Sequence, residues 1–339
     1  GKKIAWYPKS MFLRYKHWIE GLQWDWCISR QRHFGVPFPV WYERDTGKVI
    51  VASVDELPID PLSQTPRHYK GDPNNLVAEA DVLDTWATSS VTPHLALGWH
   101  EKSSLFKKLF PMDLRPQAHD IIRTWAFYTI VKAHYMHGTI PWKTITISGH
   151  LQDSRGRKMS KSLGNIIDPR EVLSKYGADA FRFMAASSKL GEDLPFQEKD
   201  IVTGRKTVTK LLNAARFAFL HLTDYDGHTK PRKLHPLDAW VLAKLHTIIK
   251  EATAAFTTHE YSKARASVDV FFWHTFCDNY LEFVKYRLYA QNSVATDARV
   301  SAQYTLYQTL LCCVKLFAPF MPFITEEIYQ QFFRAHELT

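Results

Sequence analysis

Apolar and polar positions alternate over residues 144–148, where Ile145 and Ile147 share one face, and that period predicts a β-strand. Upstream, residues 112–115 predict a second short strand and residues 116–119 a turn. Asp120 then caps a long helix over residues 121–137, which Gly138 closes. Its apolar residues, among them Ile122, Trp125, Ile130 and Met136, lie almost all round the helix, as expected of one packed between layers. Strand, helix and strand in this order predict half of a doubly wound parallel sheet, a Rossmann-like α/β unit whose ligands sit beyond the carboxyl ends of the strands.

Ahead of this unit, residues 11–22 predict an amphipathic helix and residues 25–42 a buried strand followed by a kinked loop. Residues 48–52 predict one more strand, and a Pro/Asp/Asn-rich linker runs from there to residue 80. The aromatic first segment would normally pack on earlier elements, so the chain is expected to begin within a larger fold. After residue 148, Asp168 and Pro169 start a helix that ends at Tyr176 and Gly177, and residues 178–188 form another.

From about residue 201 onward the pattern is helical, over 208–222, 237–256, 262–289, 300–316 and 323–333. Polar linkers stand at 225–233 and 290–297. Broad apolar faces with short connections predict an all-α antiparallel bundle. Within it, Phe271, Phe272, Trp273, Phe276, Tyr280 and Phe283 form a stripe expected in the core. Two domains follow, residues 1–200 and 201–339.

Composition narrows this only a little. A chain of 339 residues is too long for one core, and no apolar run approaches the roughly 20 residues of a membrane span. Cys27, Cys277, Cys312 and Cys313 have neither metal-ligand spacing nor a disulfide framework, which favours a reducing, cytoplasmic compartment. A net charge of +9 suits a polyanionic partner, as it suits many proteins without one.

Chemistry concentrates just after the strand at 144–148. Arg155, Arg157, Lys158 and Lys161 crowd a loop with Gly156, Ser160, Ser162 and Gly164 between them. Cations, hydroxyls and glycines on such a loop suit a polyphosphate, and a solvated basic loop has the same composition. At residues 84–90, Asp84, Trp86, Thr88 and Ser89 suit an apolar pocket with an acid for an ammonium group. They also suit an N-capped helix start, with Asp84 or Thr85 as the cap.

Lys158-Met159-Ser160-Lys161-Ser162 resembles the second signature of class I aminoacyl-tRNA synthetases. The strings DWCISRQR at 25–32, DVLDTW at 81–86, YGADAFR at 176–182 and GEDLPF at 191–196 also resemble that family, the second and the last in its valyl branch. The resemblance implies ATP with Mg²⁺, valine and tRNA(Val) as ligands of a monomer. It implies that Lys158 and Lys161 are catalytic and that Gly149, His150, Met159, Ser160 and Ser162 contact ATP. It further implies Gln117 and Asp120 at the ribose, and Phe34, Asp84 and Trp86 in the amino-acid pocket. Asn213, Arg216 and Arg30 become tRNA contacts. Some relatives hold a Cys-x-x-Cys zinc knuckle after the Trp41-Tyr42 pair, where this chain has Glu43, Arg44, Asp45 and Thr46, so no zinc is expected.

The family's His-x-Gly-His signature does not occur in the sequence, and its editing insertion would lie ahead of residue 1. The isolated chain is therefore expected not to aminoacylate. Two alternatives stand beside this reading: an isoleucyl-tRNA synthetase fragment, and a non-catalytic, synthetase-derived tRNA-binding module.

Overall fold

The alternation at Ile145 and Ile147 does build a strand, and both side chains are buried in it. In the computed structural model, which describes residues 1–289 and 296–334, contacts divide the chain into two compact units, Gly1–Ile147 and the residues from Ser148 onward. The first opens with β1 (Ala5–Tyr7) and α1 (Ser10–Glu20), followed by β2 (Ser29–Arg30). Next come β3 (Val40–Glu43), β4 (Val49–Val51) and β5 (Leu76–Ala78), antiparallel in the order β4-β3-β5. β6 (Val82–Leu83) pairs antiparallel with β2. Three short helices, α2 (Thr85–Ser89), α3 (Thr92–Ala96) and α4 (Ser104–Leu109), precede β7 (Met112–Ala118), α5 (Phe127–His137) and β8 (Trp142–Ser148).

β8 is the middle strand of the sheet β1-β8-β7, and β1 runs parallel to it with Trp6 opposite Ile145. Trp6, Tyr15, Ile122, Ile130, Trp142 and Ile145 fill the core beneath. The expected turn at 116–119 is instead the end of β7, which continues to Ala118. The expected single helix at 121–137 is also revised. A 3-10 turn (His119–Ile121) and a π-helical stretch (Ile122–Ala126) precede α5, Asp120 lies inside that turn, and Ala118 is the capping residue. Gly138 closes α5 as expected, at φ +66°.

The stretch read as a linker after residue 52 is pinned down. Buried Trp41 donates its indole N–H to the carbonyls of Pro61 and Gln64, both at 3.2 Å. Glu56 is buried as well and accepts from the Ser53 hydroxyl and the backbone N–H groups of Ser53 and Arg67. Polar composition is misleading here because one tryptophan and one carboxylate anchor residues 53–67, while residues 76–78 pair with β3.

The second unit begins with β9 (Leu151–Gln152), α6 (Pro169–Tyr176) and α7 (Ala178–Ala185). β10 (Leu194–Pro195) pairs parallel with β9. The helices α8 (Glu198–Leu220), α9 (Pro236–Thr257), α10 (Tyr261–Val270), α11 (Leu281–Leu288), α12 (Asp297–Phe317) and α13 (Pro322–Ile328) follow. α8 starts ten residues before the expected 208. It packs so closely on α7 that a Cβ at Gly204 would stand 2.7 Å from the Ala180 carbonyl oxygen.

The helix expected over 262–289 contains a π-helical stretch, Phe271–Tyr280. Phe271, Phe272, Phe276 and Tyr280 of the aromatic stripe are buried there, whereas Phe283 is 52% exposed. The linker expected at 290–297 lies outside the described residues over 290–295. Among the described residues, no helix is long and apolar enough to cross a membrane.

Candidate functional site

Each unit carries candidate functional residues. In the second, the basic loop forms two consecutive turns. The first closes where Gly156 N–H donates to the Asp153 carbonyl and Asp153 N–H to the Arg157 carbonyl, both at 2.9 Å, with Gly156 at φ +75°. The second closes where Gly164 N–H donates to the Lys161 carbonyl at 3.2 Å, with Gly164 at φ +60°. At both positions the left-handed backbone favours glycine. Asp153, 6% exposed, accepts from the backbone N–H groups of Arg155 (3.0 Å) and Arg157 (2.8 Å), from Arg157 Nε (2.8 Å) and from Asn165 Nδ2 (2.9 Å). Bonds from Asn165 and Arg157 hold its carboxyl well below the usual carboxylate range.

Lys158 and Lys161 remain exposed, and neither is paired with a carboxylate among the described residues. The hydroxyls of Ser160 and Ser162 stand 3.2 Å apart, and Ser160 Oγ accepts from Leu163 N–H at 3.3 Å. Two ammonium groups and two hydroxyls thus line the outside of a loop whose own carboxylate is already satisfied. That arrangement can take a polyanion without first breaking an ion pair of its own.

The loop's approach is also fixed. A Cβ on Gly149 would lie 2.1 Å from the Glu192 carbonyl oxygen, so only glycine fits against that backbone. His150 N–H donates to Asp193 Oδ1 at 2.7 Å, and Gln152 Nε2 donates to Asp193 Oδ2 at 3.0 Å. Two strings distant in sequence, Gly149-His150 and Gly191-Glu192-Asp193, therefore form one backbone surface.

The first unit holds a cavity of about 1010 Å³ lined by Trp18, Trp26, Arg30, Asp84, Trp86 and Tyr128, among others. Trp26 stacks on Tyr128 with ring centroids 3.5 Å apart. Asp84 is the helix cap that its sequence context allowed, and its carboxylate also lines the cavity. It caps α2 by accepting from Trp86 N–H at 2.8 Å, and it faces the cavity, where Arg30 pairs with it at 2.7 Å. Arg30 also donates to the carbonyls of Cys27 and Ser29. The structure therefore commits its guanidinium to the wall of this cavity. Phe34 does not join it. Gly35 packs against Val82, where a Cβ would meet Val82 Cγ2 at 2.4 Å, and Phe34 is left 87% exposed. Lys132 reaches back into the same wall and donates to the Ala87 carbonyl, while burial lowers its pKa.

Gln117 and Asp120 stand at the carboxyl end of β7, as expected, the first buried and the second exposed. Gln117 Nε2 donates to the Ala118 carbonyl at 3.3 Å. On α8, Asn213 and Arg216 are both exposed. Asn213 joins Arg205, Lys206, Lys210 and Trp273 around an open groove of about 370 Å³. Lys210 Nζ lies 5.4 Å from the Trp273 ring centroid, a distance suited to a cation–π contact.

Residues 1–197 match the tRNA synthetases of class I (I, L, M and V), and residues 238–339 match an anticodon-binding domain of tRNA ligases. The chain belongs to the class I tRNA synthetase family. It is 48% identical over 338 residues to the valine–tRNA ligase of Thermoplasma volcanium, covering 97% of this chain and 42% of that protein. To the valine–tRNA ligase of Wolbachia sp. subsp. Brugia malayi it is 46% identical over 340 residues, covering 98% and 39%. The chain thus spans about two fifths of the length of the curated relatives it matches.

Among solved structures it is similar to Mycobacterium tuberculosis methionyl-tRNA synthetase in complex with methionyl-adenylate. That match has a TM-score of 0.71 at 20% identity, covering 96% of this chain and 57% of the other. It is also similar to the Agrobacterium radiobacter K84 LeuRS–tRNA–LeuAMS complex, with a TM-score of 0.69 at 21% identity, covering 95% and 44%. At such identities these two likenesses concern the fold.

For a class I synthetase chain, the sequence reading missed several residues that shape the sites. Asp153 and Asn165 bracket the signature, and no local pattern marks them. Asp193 lies far along the chain from the backbone it holds. Lys206, Lys210 and Asn213 recur at four- and three-residue steps and so share a helical face, with Arg205 beside Lys206. The apolar pattern predicts this helix only from residue 208, which leaves Arg205 and Lys206 outside it.

Proposed function

We propose that the chain provides the later part of the catalytic domain, residues 1–200, and the anticodon-binding bundle, residues 201–339, of a cytoplasmic, monomeric valine–tRNA ligase. Identity of 46–48% to valine–tRNA ligases along 97–98% of the chain carries the reading. The loop with Lys158 and Lys161 unpaired supports it chemically.

In this reading a carboxylate oxygen of valine attacks the α-phosphorus of ATP and pyrophosphate leaves, giving valyl-adenylate. The ATP brings its own Mg²⁺. A terminal ribose hydroxyl of tRNA(Val) then attacks the carbonyl carbon, and AMP leaves. Lys158 and Lys161 bind the β- and γ-phosphates and stabilise the charge that grows on them as the bond to the α-phosphorus breaks. Ser160 and Ser162 donate hydrogen bonds to the same phosphates, while Gly149, His150 and Met159 offer backbone to the nucleotide. Gln117 and Asp120 hold the ribose. Trp86 bounds the valine side chain, and Asp84, bonded to Arg30 and to the first turn of α2, lines the same pocket. Asn213 and Arg216, with the basic groove beside them, contact the tRNA backbone.

Each charge-assisted contact is worth ~1.5–3 kcal/mol, so Lys161→Ala is expected to slow valine-dependent ATP–pyrophosphate exchange by about one to two orders of magnitude. The measurement is made in the full-length protein with valine, isoleucine and leucine in parallel. A variant rate within about twofold of the parent, or exchange driven better by isoleucine than by valine, overturns the assignment.

A further inference from the structure

We propose that Asp153 and Asn165 are positioning residues that act as a pair. Their mutual hydrogen bond sets where Lys158 and Lys161 stand and so sets the loop's affinity for a polyphosphate. The proposal rests on the loop being the triphosphate cradle, although the clamp itself is measurable without that reading.

Asp153 is the only carboxylate between residues 149 and 167. A free carboxylate there would repel a polyphosphate and draw the lysines onto itself. An ionised carboxylate has about four acceptor sites, and four donors occupy this one: two backbone N–H groups, Arg157 Nε and Asn165 Nδ2. It is thereby saturated, and both lysines are left uncommitted.

Asn165 completes the arrangement. Its Oδ1 accepts from Ser160 N–H at 2.9 Å, and its Nδ2 donates both to Asp153 Oδ2 and, at 3.2 Å, to the Lys158 carbonyl. One carboxamide thus grips the backbone on either side of Met159 and ties it to the carboxylate that closes the first turn. Lys158 leaves the first turn at this grip, and Lys161 opens the second just beyond it. The placement of both cations thus depends on side-chain bonds made by two residues that carry no cation themselves.

The test uses the full-length protein that carries this chain, with trypsin as a probe of the loop and inorganic tripolyphosphate as the ligand, titrated calorimetrically. Arg155, Arg157, Lys158 and Lys161 are all exposed cleavage points. Asn165→Ala is expected to speed cleavage across 155–161 and to weaken tripolyphosphate binding, each by about tenfold, with the melting midpoint nearly unchanged. Asp153→Asn, almost isosteric, places a donor where donors already converge and is expected to act in the same direction.

A double-mutant cycle distinguishes positioning from mere loop integrity. If Asn165 acts through Lys161, the losses from Asn165→Ala and Lys161→Ala are less than additive. Cleavage and affinity both within about twofold of the parent, or strictly additive losses, overturn the clamp. Absence of tripolyphosphate binding by the parent protein overturns the cradle reading instead, and the cleavage rates still decide the clamp.

Discussion

The basic loop and the helical bundle belong to the same compact unit and are held by opposite means. The loop is ordered by polar bonds that converge on Asp153 and Asn165, with little apolar burial. The bundle rests on an apolar core, including Phe272, Phe276, Leu306, Leu310 and Phe317, into which one charged cluster is sunk. There, Asp238 of α9 is fully buried and accepts from Arg287 Nη1 and Nη2 (2.6 and 2.7 Å), the Tyr280 hydroxyl (2.8 Å) and Ser301 Oγ (2.5 Å). Both regions centre on a carboxylate bonded to arginine, but only one of the two is out of reach of water on every side. Groups that must meet a ligand are hung on bonds that rearrange at small cost. Groups that must keep helices in register are placed where a broken bond leaves a bare charge.

The contrast predicts its largest effect at Arg287. Removing one partner of a buried pair costs about 3–5 kcal/mol, since the other charge is left unpaired. Arg287→Ala is therefore expected to lower the melting midpoint by on the order of 10 °C. Calorimetry or urea unfolding monitored by circular dichroism measures it. A cost below about 1 kcal/mol would place this pair with exposed ion pairs and dissolve the distinction between the two regions.

A smaller effect is expected where the early helices of the unit meet the late ones. The capping residue of α13, Met321, has no side-chain oxygen, and Asp179 of α7 supplies one from 144 residues away, accepting from Phe323 N–H at 3.2 Å and from Ile324 N–H at 2.7 Å. Arg182 on the same helix donates to the carbonyls of Pro319 and Phe320. Asp179→Ala is expected to cost about 0.5–2 kcal/mol, the range of a lost helix cap, read from the urea midpoint. A larger loss would mean that this contact carries core-like weight.

Sequence reached some of this and not the rest, for physical reasons. Ile145 and Ile147 gave away β8 because a half-buried strand must alternate. β1, three residues long, is too short for a period to show, and its place is set by pairing with Thr144–Thr146, which no local pattern encodes. The first turns of α8 are polar and contain Gly204, and they are helical because α7 lies against that glycine. In the candidate sites, Lys158 and Lys161 were legible as a signature. Asp153 and Asn165 were not, because their meaning lies in bonding to each other across the loop. Asp84 was readable as the cap of α2, whereas no local pattern marks Phe34 as exposed or Gly35 as packed against Val82.

The smallest expected effect is that of pH on the loop. Bonds from Asn165 and from Arg157 lower the pKa of Asp153 in the folded chain, whereas an unfolded aspartate titrates near ~3.9. A carboxylate whose folded pKa is depressed contributes its full stabilisation above the unfolded value and loses it as pH falls through the folded one. The clamp is therefore intact at pH 7, at pH 5 and down to about pH 4, and it loosens only in stronger acid. Hydrogen exchange at the Arg157 and Ser160 amides, corrected for the intrinsic pH dependence of exchange, is expected to show equal protection at pH 7 and pH 5. A loss of protection already at pH 5 would mean that Asp153 takes up its proton above even an unfolded aspartate, opposite to the direction its bonds impose, and the loop would then owe its shape to something other than that carboxylate.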